Sequence, residues 1–450
     1  MKLTKRLTAL LASAAMALAA VPAIPAGDVK AANAATPQQL LDKMGIGWNL
    51  GNSFDVQASG DYSETMWGNP KTTKEMIEFV HDQGFSSIRI PVTWGYHMDS
   101  SHKISASFMA RVKEVVDYAY NDGMYVIINI HHDNDIRYDS TNFFFPSSTY
   151  KAQSETFVKS VWTQVSEAFK DYDEHLVFET LNEPRLIGSS VEWWFDYNNP
   201  PSEAAQAIDI INTLNQDAVD VIRASGGNNK TRLIMCPGYA ASRIGIYAPS
   251  FKLPNDSSKM VGVSVHAYEP YDFAMNGDTQ YSYDSNMQKT LADIFSELTQ
   301  FLSKKGYAAY IGEFGATIKN NDAERCKWAE DYTAKAKAAG IPVFLWDNNA
   351  FSTGWENYGL IDRANLTVKS PAYFESLMKA YPKSSARLPG DANESGTVDI
   401  RDVMLIQQSI AGWNVTVKKE NCDVNGDGLI NIKDVMLIQQ SIAGWKVTLK

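Results

Sequence analysis

The sequence predicts an α/β chain: a (β/α)8 TIM barrel followed by a small all-α module built on two calcium loops. Three observations carry this. Between positions 35 and 383, eight near-continuously apolar runs alternate with helical patterns, as parallel strands buried on both faces require. Almost every run turns polar only at its C-terminal end. The tail then states one pattern twice: 391–413 and 423–445 align without gaps, and both contain DVMLIQQSIAGW, so that segment is an internal repeat.

The N-terminus reads MKLTKR, an Ala-rich apolar run through Ala20, then small residues to about Ala35. A basic start, short apolar core and small-residue exit make a secretion signal over 1–34, cleaved between Ala31 and Ala35. The run is short and followed by Pro22 and Pro25, so no membrane span is expected. The barrel is assigned to 36–381. Its strands fall in GIGWNLG from Gly45, SSIRIPV from Ser86, YVIINIHH from Tyr125 and LVFETLNEP from Leu176. The other four fall in RLIMCPG from Arg232, VGVSVHAY from Val261, YIGEFG from Tyr310 and PVFLWDNN from Pro342. Intervening segments such as TTKEMIEFVHDQG and AERCKWAEDYTAKAKAAG repeat at helical spacing. Thr72 with Glu75 forms a capping-box pattern. A doubly wound open sheet is the competing architecture, but no phosphate-binding glycine fingerprint supports it. A short polar linker, 382–388, opening on Pro382 and followed by Pro389, leads to the tail module, 389–450.

The strand ends carry Asn49, Arg89, His131 and His132, Asn182 and Glu183, His266 and Tyr268, Glu313, and Trp346 and Asp347. In a barrel these ends converge on one face. Unpaired burial would cost about 1–3 kcal/mol for each, so stability alone does not explain them. Taken singly each has a plain structural reading: a satisfied histidine, an arginine answering one buried acid, a packed tryptophan. Their convergence favours a site. Glu183 and Glu313 end the fourth and seventh strands, across the barrel from one another. Two carboxyl groups about 5–5.5 Å apart suit glycoside cleavage with retention: one protonates the leaving oxygen and the other attacks the sugar carbon. On this reading Arg89 keeps Glu313 ionised, and repulsion raises Glu183. A metal site of His131, His132 and Asp133 is poorly spaced.

The chain here resembles glycoside hydrolase family 5, in its endoglucanase branch. The resemblance rests on GWNLGNSFD at Gly47, ETMWGNP at Glu64, SIRIPVTW at Ser87, NIHHD at Asn129, LNEPR at Leu181, HAYEP at His266, GEFG at Gly312 and LWDNN at Leu345. It implies that Glu313 is the nucleophile and Glu183 the general acid, then base. It implies that Arg89 and Tyr268 orient Glu313, Asn182 contacts the sugar 2-hydroxyl, His131 and His266 bind the sugar and tune the acids, and Trp346 floors the cleavage subsite. Two or three of Trp48, Trp67, Trp94, Trp193, Trp194 and Trp355 are expected to stack on further sugars.

Each tail repeat offers oxygen donors at loop positions one, three, five, seven, nine and twelve: Asp391, Asn393, Ser395, Thr397, Asp399 and Asp402, then Asp423, Asn425, Asp427, Leu429, Asn431 and Asp434. Thr397 and Leu429 act through their backbone carbonyls, and Gly396 and Gly428 take the sharp turn at position six. A hard cation with six to eight oxygens suits this set, so two structural Ca2+ ions are expected; catalysis needs no cofactor. Pro389 and Gly390 exclude a helix before the first loop. Two loop–helix units without such a helix resemble a type I-like dockerin, which implies a cohesin module as partner. Positions ten and eleven read Ile400-Arg401 and Ile432-Lys433.

Net charge is −11, with no basic patch to suggest nucleic acid. Three cysteines without metal spacing point to a thiol-poor protein that does not depend on disulfides. The reading that joins these parts is a secreted, cellulosome-attached, retaining endo-β-1,4-glucanase acting on β-glucan. Its rivals are the same machinery on xyloglucan, lichenan, xylan or mannan, and a non-catalytic glycan-binding scaffold, which would require loss of a carboxylate.

Overall fold

In the computed structural model, residues 35–57, 63–136, 141–382, 388–413 and 415–450 are described. The expected secretion signal and most of the linker lie outside the described residues. Eight parallel strands close into a barrel in chain order: β1 (Ile46–Leu50), β2 (Ser87–Ile90), β3 (Tyr125–Asn129), β4 (Leu176–Glu179), β5 (Ile234–Ser242), β6 (Val261–His266), β7 (Ala309–Phe314) and β8 (Val343–Asp347). β8 pairs back onto β1. Every expected run forms its strand. β1, β3, β7 and β8 are buried along their whole length, the condition under which a barrel leaves no edge.

The outer helices bury one stripe each. In Ser202–Ala224 this stripe includes Ile208, Ile211, Leu214, Ala218 and Ile222, three or four residues apart as one helical face demands. Two details differ from the sequence reading. Between β5 and β6 the helix shrinks to Arg243–Tyr247. Gly245 there is pressed so close that a Cβ would lie 2.2 Å from Tyr239 O. The cap of helix Lys74–Asp82 is Thr73, which accepts from Met76 N, rather than Thr72. Thr72 is held outside the helix by Glu64, which accepts its N–H, and by Arg111, which donates to its carbonyl.

In the tail, helices Ile400–Ile410 and Ile432–Ile442 enclose a small core that includes Val403, Ile406, Val435 and Ile438. Among the described residues no helix leads directly into the first loop, but one turn, Lys419–Cys422, leads into the second. The difference follows the sequence: the second loop lacks the proline that blocks helix before the first. Among the described residues no helix is long and apolar enough to cross a membrane. Cys236, Cys326 and Cys422 are free thiols.

Candidate active site

Strand register builds the site. Asn49 pairs with Arg89 across β1 and β2, Asn129 with Glu179 across β3 and β4, and His266 with Glu313 across β6 and β7. Arg89 is fully buried at the centre. Its Nε donates to Glu179 Oε2 at 2.8 Å, Nη1 to Asn49 Oδ1 at 2.9 Å and to Glu313 Oε1 at 2.8 Å, and Nη2 to Asn182 Oδ1 at 2.7 Å. One guanidinium thus answers two buried carboxylates, which its planar fork can do and a lysine cannot. Glu179 escaped the sequence reading. Its signal was a lone acid in the apolar run LVFE. Asn129 Nδ2 (2.9 Å) and Ser264 Oγ also donate to it, so it is fully engaged in holding Arg89.

Glu313 and Glu183 face each other over His266. Tyr268 Oη donates to Glu313 Oε2 at 2.9 Å. His266 Nδ1 lies 2.8 Å from Glu183 Oε1 and 3.6 Å from Glu313 Oε2. One oxygen of each carboxyl and the imidazole nitrogen all fall within 4.8 Å of one another. Such a trio could ligate a cation, but Arg89 and Arg185 already bond the same carboxylates and fill that electrostatic role. Arg185, also unassigned from sequence, donates to Glu183 Oε2 at 3.4 Å and lies over the Trp193 ring at 3.9 Å.

The proton balance differs from the sequence expectation. Burial pushes Glu183 up, but the bond from His266 and the charges of His266 and Arg185 outweigh it and bring it down to about 2. Burial, with repulsion from Glu183, raises Glu313 against the pull of His266 and Arg89. His266 opposes its own burial penalty through the two carboxylates and is raised above 6.5. His266 Nδ1 thus stands where it can exchange a proton with Glu183 Oε1. The sequence argument counted Arg89 and mutual repulsion; it lacked the imidazole placed between the acids.

Trp346 lies parallel to His131, ring centroids 5.9 Å apart and planes 1° apart. Gly51 allows the β1 loop to reach this indole: a Cβ there would sit 2.9 Å from Trp346 Cζ2. Burial, then His132 and Arg89, holds His131 well below the usual imidazole range, so its ring is neutral. Asp133 turns away from the histidines and accepts from Trp94 N at 3.0 Å and Gly95 N at 2.7 Å. Asp55 takes its place near the pair, with its oxygens bound to Asn52 N and Ser53 N. Trp48 and Trp94 are core residues whose indole N–H groups bond Asp347 and Asn129. Trp67, Trp193, Trp194 and Trp355 are exposed and remain open to a ligand.

The tail loops fit a hard cation. Gly396 and Gly428 take φ of +83° and +82°, the left-handed turn a glycine adopts freely. Asp391 is buried and accepts from Ser395 N and Gly396 N. Asp402, at position twelve, is fully buried. Burial, opposed by backbone hydrogen bonds and reinforced by the charges of Asp391 and Asp399, pushes it up to about 6. Acids gathered this closely want a positive charge among them.

A family model described as cellulase (glycosyl hydrolase family 5) matches residues 51–352. The chain belongs to glycosyl hydrolase family 5. A second model, for the dockerin type I domain, matches residues 389–443. Among relatives of this family 5 glycosidase, Endoglucanase A of Clostridium longisporum is 40% identical over 367 residues, covering 79% of this chain and 68% of that protein. A GH5 lichenase from a Caldicellulosiruptor species superposes with a TM-score of 0.73 at 41% identity, over 77% of this chain and 95% of that one. A GH5-4 broad specificity endoglucanase from Ruminococcus champanellensis, with bound cellotriose, gives 0.71 at 39% identity, over 76% and 98%. The family 5 barrel thus carries a calcium-binding dockerin at its C-terminal side.

Proposed function

We propose that this family 5 glycosidase is a secreted endo-β-1,4-glucanase that cleaves β-glucan by double displacement, with Glu313 as nucleophile and Glu183 as acid, then base. The observation that carries the residue assignment is the approach of both carboxyls, with His266, within 4.8 Å. That spacing suits a covalent glycosyl intermediate and leaves too little room for the water of an inverting enzyme.

Arg89 Nη1 and Tyr268 Oη donate to the two oxygens of Glu313, which orients a carboxylate for attack on the anomeric carbon. Glu183 must be protonated to release the leaving sugar. His266 Nδ1, 2.8 Å from Glu183 Oε1, is the group that supplies it. A sugar filling the cleft removes water and disfavours the imidazolium–carboxylate pair over its neutral form, which moves the proton to Glu183. Glu183 then draws a proton from the incoming water, whose oxygen attacks the anomeric carbon and frees Glu313. Asn182 gives its Oδ1 to Arg89, which leaves its amide N–H groups for the sugar 2-hydroxyl. Trp346 supplies an apolar floor for the sugar's C–H face.

The shared proton sets the pH dependence. The alkaline limb of kcat/KM follows loss of the proton held jointly by His266 and Glu183, and His266 is raised above 6.5. In H266Q that proton depends on Glu183 alone, so the limb is expected at lower pH. A pH–rate profile whose alkaline limb stays in place would remove His266 from this role.

Substrate preference is tested by initial rates on carboxymethyl cellulose, lichenan, xyloglucan, xylan and mannan. The expected order puts cellulose derivatives and lichenan first. Mannan is expected last, because its axial 2-hydroxyl points away from an amide placed for an equatorial one. A preference for mannan or xylan overturns the glucan assignment. The lichenase and the broad specificity endoglucanase among the neighbours favour mixed-linkage glucan as the second reading.

For the tail, the proposal is two ions, one per loop, held by Asp391, Asn393, Ser395, Thr397, Asp399 and Asp402 and by Asp423, Asn425, Asp427, Leu429, Asn431 and Asp434. It extends to attachment to a cellulosome through a cohesin. A bound cation supplies the charge that lets these acids lie together, so chelation is expected to unfold the tail and abolish cohesin binding while leaving hydrolysis of soluble glucan unchanged. Circular dichroism and calorimetry check this; cohesin binding that survives chelation would refute it.

A further inference from the structure

We infer that the end of the barrel opposite the catalytic mouth holds loop position eleven of the first tail repeat, so that the chain docks on its partner through the second. This rests on the dockerin reading above and adds a choice between its two faces. The repeats are nearly identical, and each exposes the same apolar row: Ile400 and Met404 on one helix, Ile432 and Met436 on the other. By sequence they are equivalent. Their surroundings are not.

Loop position eleven is Arg401 in the first repeat and Lys433 in the second. Arg401 Nη2 lies 2.7 Å from His175 Nε2, and its Nη1 donates to Tyr120 O at 3.3 Å. Its Nε donates to its own loop's Asp399 at 3.1 Å. The Arg401 side chain keeps 17% of its exposure, against 72% for Lys433. The loop backbone shares the contact. A Cβ on Gly123 would lie 3.4 Å from Ser395 Cβ and 3.5 Å from Asn393 Nδ2, ordinary van der Waals contact across the seam.

Gly123 and His175 stand just before β3 and β4, at the end of the barrel opposite Glu183 and Glu313. The seat is thus made of chain turns far from the chemistry. A planar guanidinium can serve an imidazole nitrogen, a carbonyl and a carboxylate at once; that is the set of acceptors Arg401 meets. A partner that needs position eleven cannot reach it in the first repeat without parting tail from barrel. In the second repeat it is exposed, with its own loop's Asp427 at 3.8 Å. The same contact sets the catalytic mouth on the end of the barrel away from the first repeat.

The test uses the full-length chain with calcium, titrated by calorimetry against a panel of cohesin modules. The paired variant I432D/K433D is expected to lower affinity about 100-fold, and I400D/R401D less than about 3-fold. Adding H175A to I432D/K433D, which removes the imidazole that Arg401 meets on the barrel, is expected to restore about 10-fold of the loss. Hydrolysis of soluble glucan stays unchanged in all of them and reports an intact barrel. Equal losses from the two paired variants, or a larger loss from the first repeat, overturn the masking but leave the dockerin reading intact. A wild-type chain that binds no cohesin in calcium overturns that reading, and the inference with it.

Discussion

E313Q is expected to lose hydrolysis of soluble β-glucan by about a thousandfold or more, because no other group can attack the anomeric carbon. The amide keeps the shape: its oxygen can still accept from Arg89, which bonds Glu313 Oε1 at 2.8 Å, and its NH2 can donate to the Tyr268 hydroxyl, now 2.9 Å from Oε2. Its fold should therefore survive, and near-UV circular dichroism should match the parent. E183Q separates the two roles. A nitrophenyl cellobioside has a leaving group that needs little protonation, so E183Q should retain bond cleavage on it while losing glucan hydrolysis. E313Q should lose both. If the two variants exchanged these behaviours, the acid and the nucleophile would have to be exchanged as well.

The second large effect concerns Arg89. R89A removes the sole guanidinium shown between Glu179 and Glu313 and strands two acids in the barrel centre. Breaking a buried pair in this way costs about 3–5 kcal/mol, and here two pairs break together. Urea unfolding is expected to show at least that loss, alongside loss of activity. R89K should rescue poorly, because one ammonium cannot reach Glu179, Asn49, Glu313 and Asn182 at their present spacing. An R89A barrel within about 1 kcal/mol of the parent would overturn this role of Arg89.

Much of this was written in the chain. Strands buried on both faces must be apolar throughout, so all eight could be read directly, and the polar residues ending seven of them could be read with them. The tail loops were equally plain, because calcium coordination needs oxygens at fixed loop positions. Glu179 and Arg185 were less visible. Glu179 looks like a lapse in an apolar run until Arg89 is seen to require it, and Arg185 matters only because the chain folds it back over Trp193 and onto Glu183. The six candidate tryptophans were indistinguishable by spacing. Burial divided them, since Trp48 and Trp94 bond inward to Asp347 and Asn129 while the other four face out.

What the sequence by itself determined was periodic or local: strand order, the closed architecture and the two repeated loops of the tail. Each depends on neighbours along the chain, where spacing is chemistry. Only the tertiary structure decided that an imidazole stands between the two acids and which of two matching repeats meets the barrel. Those outcomes turn on distances between residues far apart in the chain: His266 between two acids, and Arg401 against His175. Coulombic and desolvation energies change steeply over a few ångströms, and no pattern in a linear string carries that distance.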